Sequence, residues 1–238
     1  MLYGAASKLA FVTKAYKFQM KQKEKILLRL ASGLNFFLMS QSKFQRGGRN
    51  EARKKSLYTG KGDLGETGMF GCDQRISKSS NITEALGSLD EINSFLGFCK
   101  LRSKIEDIRV GESAYSALLE DVQQKLFIIQ AQIAGSDKKI DNGSISSMEE
   151  VIAAVEKQLP EIHSFFVSGG SELSAALDYA RTIARRAERR VVAVFEEGLI
   201  EVDSNTLKYL NRLSSLLYAM SRYANHVLGI EEESPEYK

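Results

Sequence analysis

The chain has 238 residues, 43% of them hydrophobic, which suits one folded domain of ordinary size with an appended segment. Its charge is segregated: residues 1–56 carry 13 Lys and Arg against 2 Asp and Glu, whereas residues 57–238 carry 20 against 28. The acidic balance of the larger part excludes non-specific nucleic-acid binding, because affinity for polyphosphate rests on clustered positive charge. Two cysteines and two histidines without metal-ligand spacing exclude a disulfide framework and a structural zinc site.

The first 50 residues are basic, poor in acidic residues and interleaved with hydrophobic ones. This composition is typical of an organellar transit peptide, and it predicts a removable segment over residues 1–50 that directs the chain to the mitochondrial matrix. The apolar run over residues 26–39 is interrupted by Arg29 and is too short for a bilayer, which needs about 20 apolar residues. The alternatives are a disordered basic tail or misassigned upstream sequence, in which case the protein is cytoplasmic. Residues 51–56 are predicted to be a linker.

A glycine-rich stretch follows between Leu57 and Asp73. Its five glycines make it too irregular for a helix and predict a loop that encloses another group. Beyond it, apolar residues at helical spacing predict a first helix beginning near Thr83, a possible N-cap, and a second over about residues 113–134.

Three further helices are predicted after an Asp141-Asn142-Gly143 turn. Ser146 or Ser147 is the expected cap of the third helix, and Ser171 that of a long fourth helix ended by Gly198. Asp203 or Ser204 is the expected cap of the fifth. With short connections and no segment of strand period, residues 57–230 are predicted to form an all-α, five-helix antiparallel bundle, followed by a tail over residues 231–238.

The fourth predicted helix carries an unusual run of arginines. Arg181, Arg185 and Glu188 share a helix face, and Arg186 and Arg189 flank it. A guanidinium binds phosphate oxygens in pairs and keeps its charge, so this face is a candidate polyphosphate site. The alternative is a solvated helix surface, which is the commoner fate of a charge run.

The glycine-rich stretch offers a second candidate half-site. Its glycines let backbone amides turn toward a phosphate, and Thr59, Lys61 and Thr67 supply further donors. The stretch is not a Walker A motif, because the spacing and the terminal Lys-Ser/Thr pair are missing.

Taken together, these segments resemble the PduO-type ATP:cob(I)alamin adenosyltransferases over about residues 57–230. The matching blocks, in chain order, are Tyr-Thr-x-x-Gly-Asp-x-Gly at residues 58–65, Lys78, Glu84-Ala85-x-Gly87-x-x-Asp90-Glu91-x-Asn93-Ser94, Phe165 with Gly169-Gly170, Arg-Thr-x-x-Arg-Arg-Ala-Glu-Arg at residues 181–189, Asn211-Arg212-Leu213-Ser214, and Arg222-Tyr223-Ala224.

The resemblance implies a homotrimer of five-helix bundles with ATP bound between subunits. The residues implied in ATP binding are Thr59, Gly60, Lys61, Gly62, Thr67, Gly68 and Lys78 from the glycine-rich loop of one subunit, with Arg185, Arg186, Ala187, Glu188, Arg189 and Asn211 from the next. Arg185, Lys78 and Phe165 are the implied catalytic residues, with Phe165 pressing on the lower face of the corrin ring. Ordinary core packing beside Phe166 is the alternative role for Phe165. Asp90 is implied to pair with Arg181 across the interface, and no metal ligand is assigned to the protein.

The implied reaction is attack of the Co(I) of cob(I)alamin on the 5′ carbon of ATP, which expels triphosphate and gives adenosylcobalamin. Cationic side chains with Mg²⁺ would neutralise the leaving triphosphate. The implied partners are a cobalamin-reducing system and an adenosylcobalamin-dependent enzyme.

The chain departs from the family pattern at a few positions. The family usually has Lys or Arg where this chain has Gly60, proline where it has Ser168, and Asp-Asp-Pro-Arg where it has residues 79–82. These departures leave open an alternative function, a non-catalytic ATP-binding helical oligomer of the same family.

Overall fold

The computed structural model describes residues 58–69 and 73–237. The predicted transit segment and linker therefore lie outside the described residues. Five helices form the body: α1 Asn81–Glu106, α2 Tyr115–Ile133, α3 Asn142–Glu156, α4 Glu172–Glu197 and α5 Ser204–Val227. None of the helices in the described ranges has a stretch apolar and long enough to cross a membrane.

The helices pack around one apolar core. Helix α4 contacts both α1 and α5, while α2 packs on α1 and α3 packs on α5. Leu89 and Leu96 of α1, Leu126 of α2, Leu177 of α4 and Leu213 of α5 are fully buried. These leucines lie on the faces of their helices that point into the core. The prediction of a mainly helical protein with five helices is confirmed.

Local capping signals begin α4 and α5, and end α4, where the sequence predicts. The Ser171 side chain accepts a hydrogen bond from the Ser174 amide at 3.0 Å, and Asp203 accepts one from the Asn205 amide at 2.8 Å. Gly198 ends α4 in the left-handed conformation with φ of 64°. These three predictions are confirmed. The caps could be predicted from sequence because each depends on residues within one turn of the helix end.

Two helix starts differ from the predicted ones. Helix α1 is capped by Ser80, three residues before Thr83, whose hydroxyl instead donates to the Ser80 carbonyl at 2.9 Å. Helix α3 is capped by Asp141, which accepts from the Ser144 amide at 2.8 Å, so the predicted turn at residues 141–143 is the first turn of the helix. Asp and Ser are equally good caps, and the choice between neighbouring candidates is not visible in sequence.

The expectation of no strands is wrong. Strand β1, Glu66–Gly68, pairs antiparallel with β2, Arg75–Ser77, and β3, Arg109–Val110, pairs with β4, Ser113–Ala114. Strands of two or three residues are too short to display an alternating pattern. The first pair gives the glycine-rich loop an ordered base.

A rigid turn joins the irregular segment after α3 to the start of α4. Gly169 and Gly170 both have positive φ, 137° and 101°. The Asn225 amide of α5 donates to the Gly169 carbonyl at 3.0 Å and accepts from the Ser171 amide at 3.1 Å. A Cβ on Gly170 would lie 2.4 Å from the Asn225 Oδ1 atom, so this position requires glycine.

Candidate functional site

A cavity of about 810 Å³ lies beside the arginine-bearing face of α4. It is lined by α4, α5, the irregular segment before α4 and the C-terminal segment after α5. Phe165 lines this cavity and is 78% exposed. Core packing within the chain is therefore the wrong explanation for Phe165, which presents an aromatic ring to the cavity.

The inner wall of this cavity is polar and charged. Arg181 pairs through Nε with the Asp178 carboxylate at 3.3 Å, and its guanidinium carbon lies 5.9 Å from the centre of the Tyr218 ring. Burial raises the pKa of the Tyr218 hydroxyl, so Tyr218 stays neutral at physiological pH and can donate a hydrogen bond. This wall of the cavity thus combines the positive charge of Arg181 with the neutral hydroxyl of Tyr218, which can donate a hydrogen bond.

A second cavity, of about 290 Å³, lies farther along the same face of α4. Arg185, Glu188, Arg189 and Asn211 line it, and Asn211 donates to the Glu188 carboxylate at 3.0 Å. Arg185 also lines the 810 Å³ cavity, so one guanidinium borders both spaces.

The arginines of α4 differ in their partners. Arg186 is paired with Glu91 of α1, and Arg190 lies 3.6 Å from Glu84. Arg189 donates to the Arg185 carbonyl at 2.9 Å. Within the described ranges, Arg185 and Arg189 have no carboxylate partner. The charge of these two arginines is therefore available to an anion.

Two other residues of the predicted set have different surroundings. Ala187 is fully buried in the core, so its side chain faces away from both cavities. Asp90 is exposed, and no ion pair joins it to another residue of the described part of the chain. The implied Asp90–Arg181 contact joins two subunits and stays a prediction.

The glycine-rich loop is held by Lys78 and Arg75. The Lys78 ammonium donates to the Gly62 carbonyl at 2.8 Å, and a Cβ on Gly62 would lie 2.9 Å from the Lys78 Nζ atom. Arg75 donates to the Lys61 carbonyl at 2.5 Å and to the Glu66 carboxylate at 3.2 Å. Arg75 was not predicted from the sequence, in which it lies two residues after the glycine-rich stretch.

The loop residues border a cavity of their own. Thr67, Gly68 and Lys78 line a space of about 350 Å³ beside Thr83 of α1. Thr59, Gly60 and Lys61 are exposed, and Gly60 turns with φ of 67°. The loop residues and the arginine face therefore line separate cavities of one chain.

Sequence reasoning also missed the contribution of the C-terminal segment. Glu232 and Tyr237 line the 810 Å³ cavity, as does Arg222, which belongs to a matching block but had no assigned role. The predicted tail over residues 231–238 has no sequence pattern that predicts where it lies.

The chain is similar to known proteins over most of its length. The family model described as cobalamin adenosyltransferase matches residues 57–224. A corrinoid adenosyltransferase from Bacillus subtilis is 38% identical over 178 residues, which are 73% of this chain and 89% of that protein. The corrinoid adenosyltransferase PduO of Citrobacter freundii is 36% identical over 178 residues, 72% of this chain, and the match spans 50% of that longer relative.

A solved structure shows the same fold. It is that of a variant PduO-type ATP:corrinoid adenosyltransferase from Lactobacillus reuteri complexed with cobalamin and ATP. The TM-score is 0.68 at 30% sequence identity, over 76% of this chain and 96% of that chain. On the extent of the family match and these identities, the chain belongs to the cobalamin adenosyltransferase family.

Proposed function

We propose that this protein transfers the 5′-deoxyadenosyl group of ATP to cob(I)alamin, giving adenosylcobalamin and triphosphate. The observation that carries the proposal is the position of Arg185 at the border of two cavities. Cobalt must attack the 5′ carbon in line with the leaving triphosphate, so the two substrates have to bind side by side. Adjacent cavities that share one guanidinium suit this requirement.

The smaller cavity suits the triphosphate. Arg185 and Arg189 offer guanidinium groups without carboxylate partners in the described part of the chain, and such groups bind phosphate oxygens in pairs. Mg²⁺ is usually bound through one or two carboxylates together with substrate phosphates, and Glu188 is the carboxylate that lines this cavity. Mg²⁺ bound there would withdraw charge from the leaving triphosphate, and the two arginines would orient it.

The larger cavity suits the corrinoid. Its volume of about 810 Å³ and the exposed ring of Phe165 offer an apolar surface to a flat macrocycle. We propose that Phe165 presses on the lower face of the corrin, displaces the lower axial ligand and excludes water. Loss of that ligand eases reduction to Co(I). The Lactobacillus reuteri relative is complexed with both cobalamin and ATP, which supports the proposal that this chain binds both substrates.

The separation of the loop from the arginine face supports ATP binding between subunits of a homotrimer. We propose that Lys78, with Thr59, Gly60, Lys61, Gly62, Thr67 and Gly68, completes the nucleotide site of a neighbouring copy. Helix α1 exposes Phe98, Leu101 and Ile105 on one face, at 50%, 61% and 70%, which gives such a copy an apolar surface to cover.

The cellular setting is proposed from composition and chemistry. Residues 1–50 are proposed to direct the protein to the mitochondrial matrix. A cobalamin-reducing system would supply Co(I), and an adenosylcobalamin-dependent enzyme would receive the product. Residues 57–230 are proposed as the catalytic domain and residues 51–56 as its linker.

The test is an anaerobic assay of the full chain, and of the chain from residue 51, with chemically reduced cobalamin, Mg²⁺ and ATP. We expect both to form a carbon–cobalt bond that is cleaved by light, with release of triphosphate. ATP binding without conversion would instead establish the non-catalytic alternative. If the shorter chain folds but loses ATP binding, residues 1–50 have a role beyond targeting.

A further inference from the structure

Arg222 of α5 is an unusual residue of the 810 Å³ cavity. It lines the cavity, yet only 4% of its side chain is exposed. Its Nε donates to the Glu232 carboxylate at 2.8 Å, and its guanidinium carbon lies 4.7 Å from the centre of the Phe166 ring. Arg222 therefore contacts both the C-terminal segment and the residue next to Phe165.

Arg222 is poorly explained by folding stability alone. Its Nη2 atom is buried and has no hydrogen-bond partner among the residues that the structure describes. A buried donor without a partner costs free energy, and an aliphatic side chain of similar volume would avoid that cost. The arginine is thus better explained by what it holds in place.

The two segments that Arg222 contacts are also joined to each other. The Val167 amide donates to the Glu233 carbonyl at 2.8 Å, and the Ser164 and Ser234 hydroxyls lie 2.8 Å apart. Segment 164–167 has no helix or strand hydrogen bonds of its own. Its position therefore depends on Arg222, on the C-terminal segment and on the turn at Gly169-Gly170.

We propose that Arg222 is a positioning residue for the corrinoid half of the reaction. By binding Glu232 and the face of Phe166, it fixes segment 164–167 so that Phe165 is held at the cavity. This inference rests on the proposed function and assigns to that site a residue that touches neither the nucleotide cavity nor the glycine-rich loop. It predicts that loss of Arg222 affects the corrinoid and leaves ATP binding intact.

The test compares Arg222→Met, Arg222→Lys, Glu232→Ala and Glu232→Gln in the full chain. For each, ATP affinity is measured by calorimetry without corrinoid, and the spectrum of bound cob(II)alamin reports the fraction that lacks its lower axial ligand. In Arg222→Met we expect that fraction to collapse and kcat to fall on the order of 100-fold, the effect of misplacing a reacting group by about 1 Å. We expect ATP affinity to stay within about twofold, a change of under half a kcal/mol.

The other variants separate positioning from loss of folding. Glu232→Gln keeps an acceptor for Arg222 and should retain most of the cob(II)alamin that lacks its lower axial ligand. Glu232→Ala, which removes the partner of Arg222 in the C-terminal segment, should lose that fraction even if Arg222→Met fails to fold. Arg222→Lys keeps the charge but not the planar group and should be intermediate. Lys139→Met, which removes an exposed lysine from its ion pairs with Glu201 and Asp203 outside the cavity, is the control and should behave as the unaltered chain.

Two outcomes would overturn the proposal. One is a folded Arg222→Met protein with the unaltered spectrum and kcat, and the other is an equal loss of ATP and corrinoid binding. Failure of the proposed function is recognised separately, because the unaltered chain would then form no adenosylcobalamin in the anaerobic assay. In that case hydrogen exchange at the Val167 amide still reports whether Arg222 holds segment 164–167, with faster exchange expected in Arg222→Met.

Discussion

At the scale of single residues, the arginines of α4 differ in whether a carboxylate of another helix neutralises their charge. Spacing alone places Arg181, Arg185 and Glu188 on one face, as the sequence predicts. It does not reveal that Arg186 and Arg190 are neutralised by carboxylates of α1, because those partners are about 100 residues away in the chain. Phe165 likewise became distinguishable from a core residue only through its exposure.

Arg185→Lys keeps the charge at the border of the two cavities but loses the planar fork. We expect this substitution to impair both ATP affinity and kcat, because triphosphate is also the leaving group. A charge-assisted hydrogen bond contributes about 1.5–3 kcal/mol, which corresponds to roughly a 10- to 150-fold loss. Steady-state kinetics decides the matter, with Arg190→Lys as a conservative control on the same helix. Unaltered kinetics in folded Arg185→Lys would make Arg185 part of a solvated face.

At the scale of elements, the five helices were predictable because their apolar spacing and several of their caps are local. The starts of α1 and α3 were misplaced where two good caps compete, and the short strand pairs were missed because they depend on pairing between segments. The sequence predicts the cap Ser171 directly after Gly169-Gly170, but the attachment of this turn to Asn225 of α5 is a tertiary contact that sequence does not show.

Because of the contact with Asn225, an alanine substitution should destabilise the protein more at Gly170 than at Gly169. Both have positive φ, so Gly169→Ala should lower the free energy of unfolding by about 1–3 kcal/mol through backbone strain. Gly170→Ala should cost about 1–3 kcal/mol more, because its Cβ displaces Asn225 and leaves buried polar groups without partners. Denaturant unfolding of both variants measures the difference. Equal losses would show that the Asn225 contact contributes nothing to the turn.

At the scale of the whole molecule, the candidate site is divided. The arginine face and the Phe165 segment meet at Arg185, while the glycine-rich loop lines a cavity elsewhere on the same chain. The residue types of both halves were predictable from sequence. Their relation was implied only by the family resemblance, because the joining of two subunits leaves no periodic signal in one chain. Asp90, exposed and without an ion-pair partner in the described residues, is the residue through which the proposed assembly can be tested.

Asp90→Arg should weaken the trimer more than it destabilises the subunit. In the proposed assembly this carboxylate meets Arg181 of the next copy, and the substitution would place two cations together where an ion pair is covered. We expect the dissociation constant of the trimer to rise on the order of 100-fold, with little change in the unfolding of the separated subunit. Sedimentation velocity over a range of concentrations measures the assembly. Glu150→Arg, an equal charge reversal at an exposed position of α3, should leave the trimer intact.

Combining Asp90→Arg with Arg181→Asp should restore part of the assembly, although Arg181→Asp also removes the partner of Asp178 inside the chain. An undisturbed trimer in the single Asp90→Arg variant would place Asp90 outside the interface.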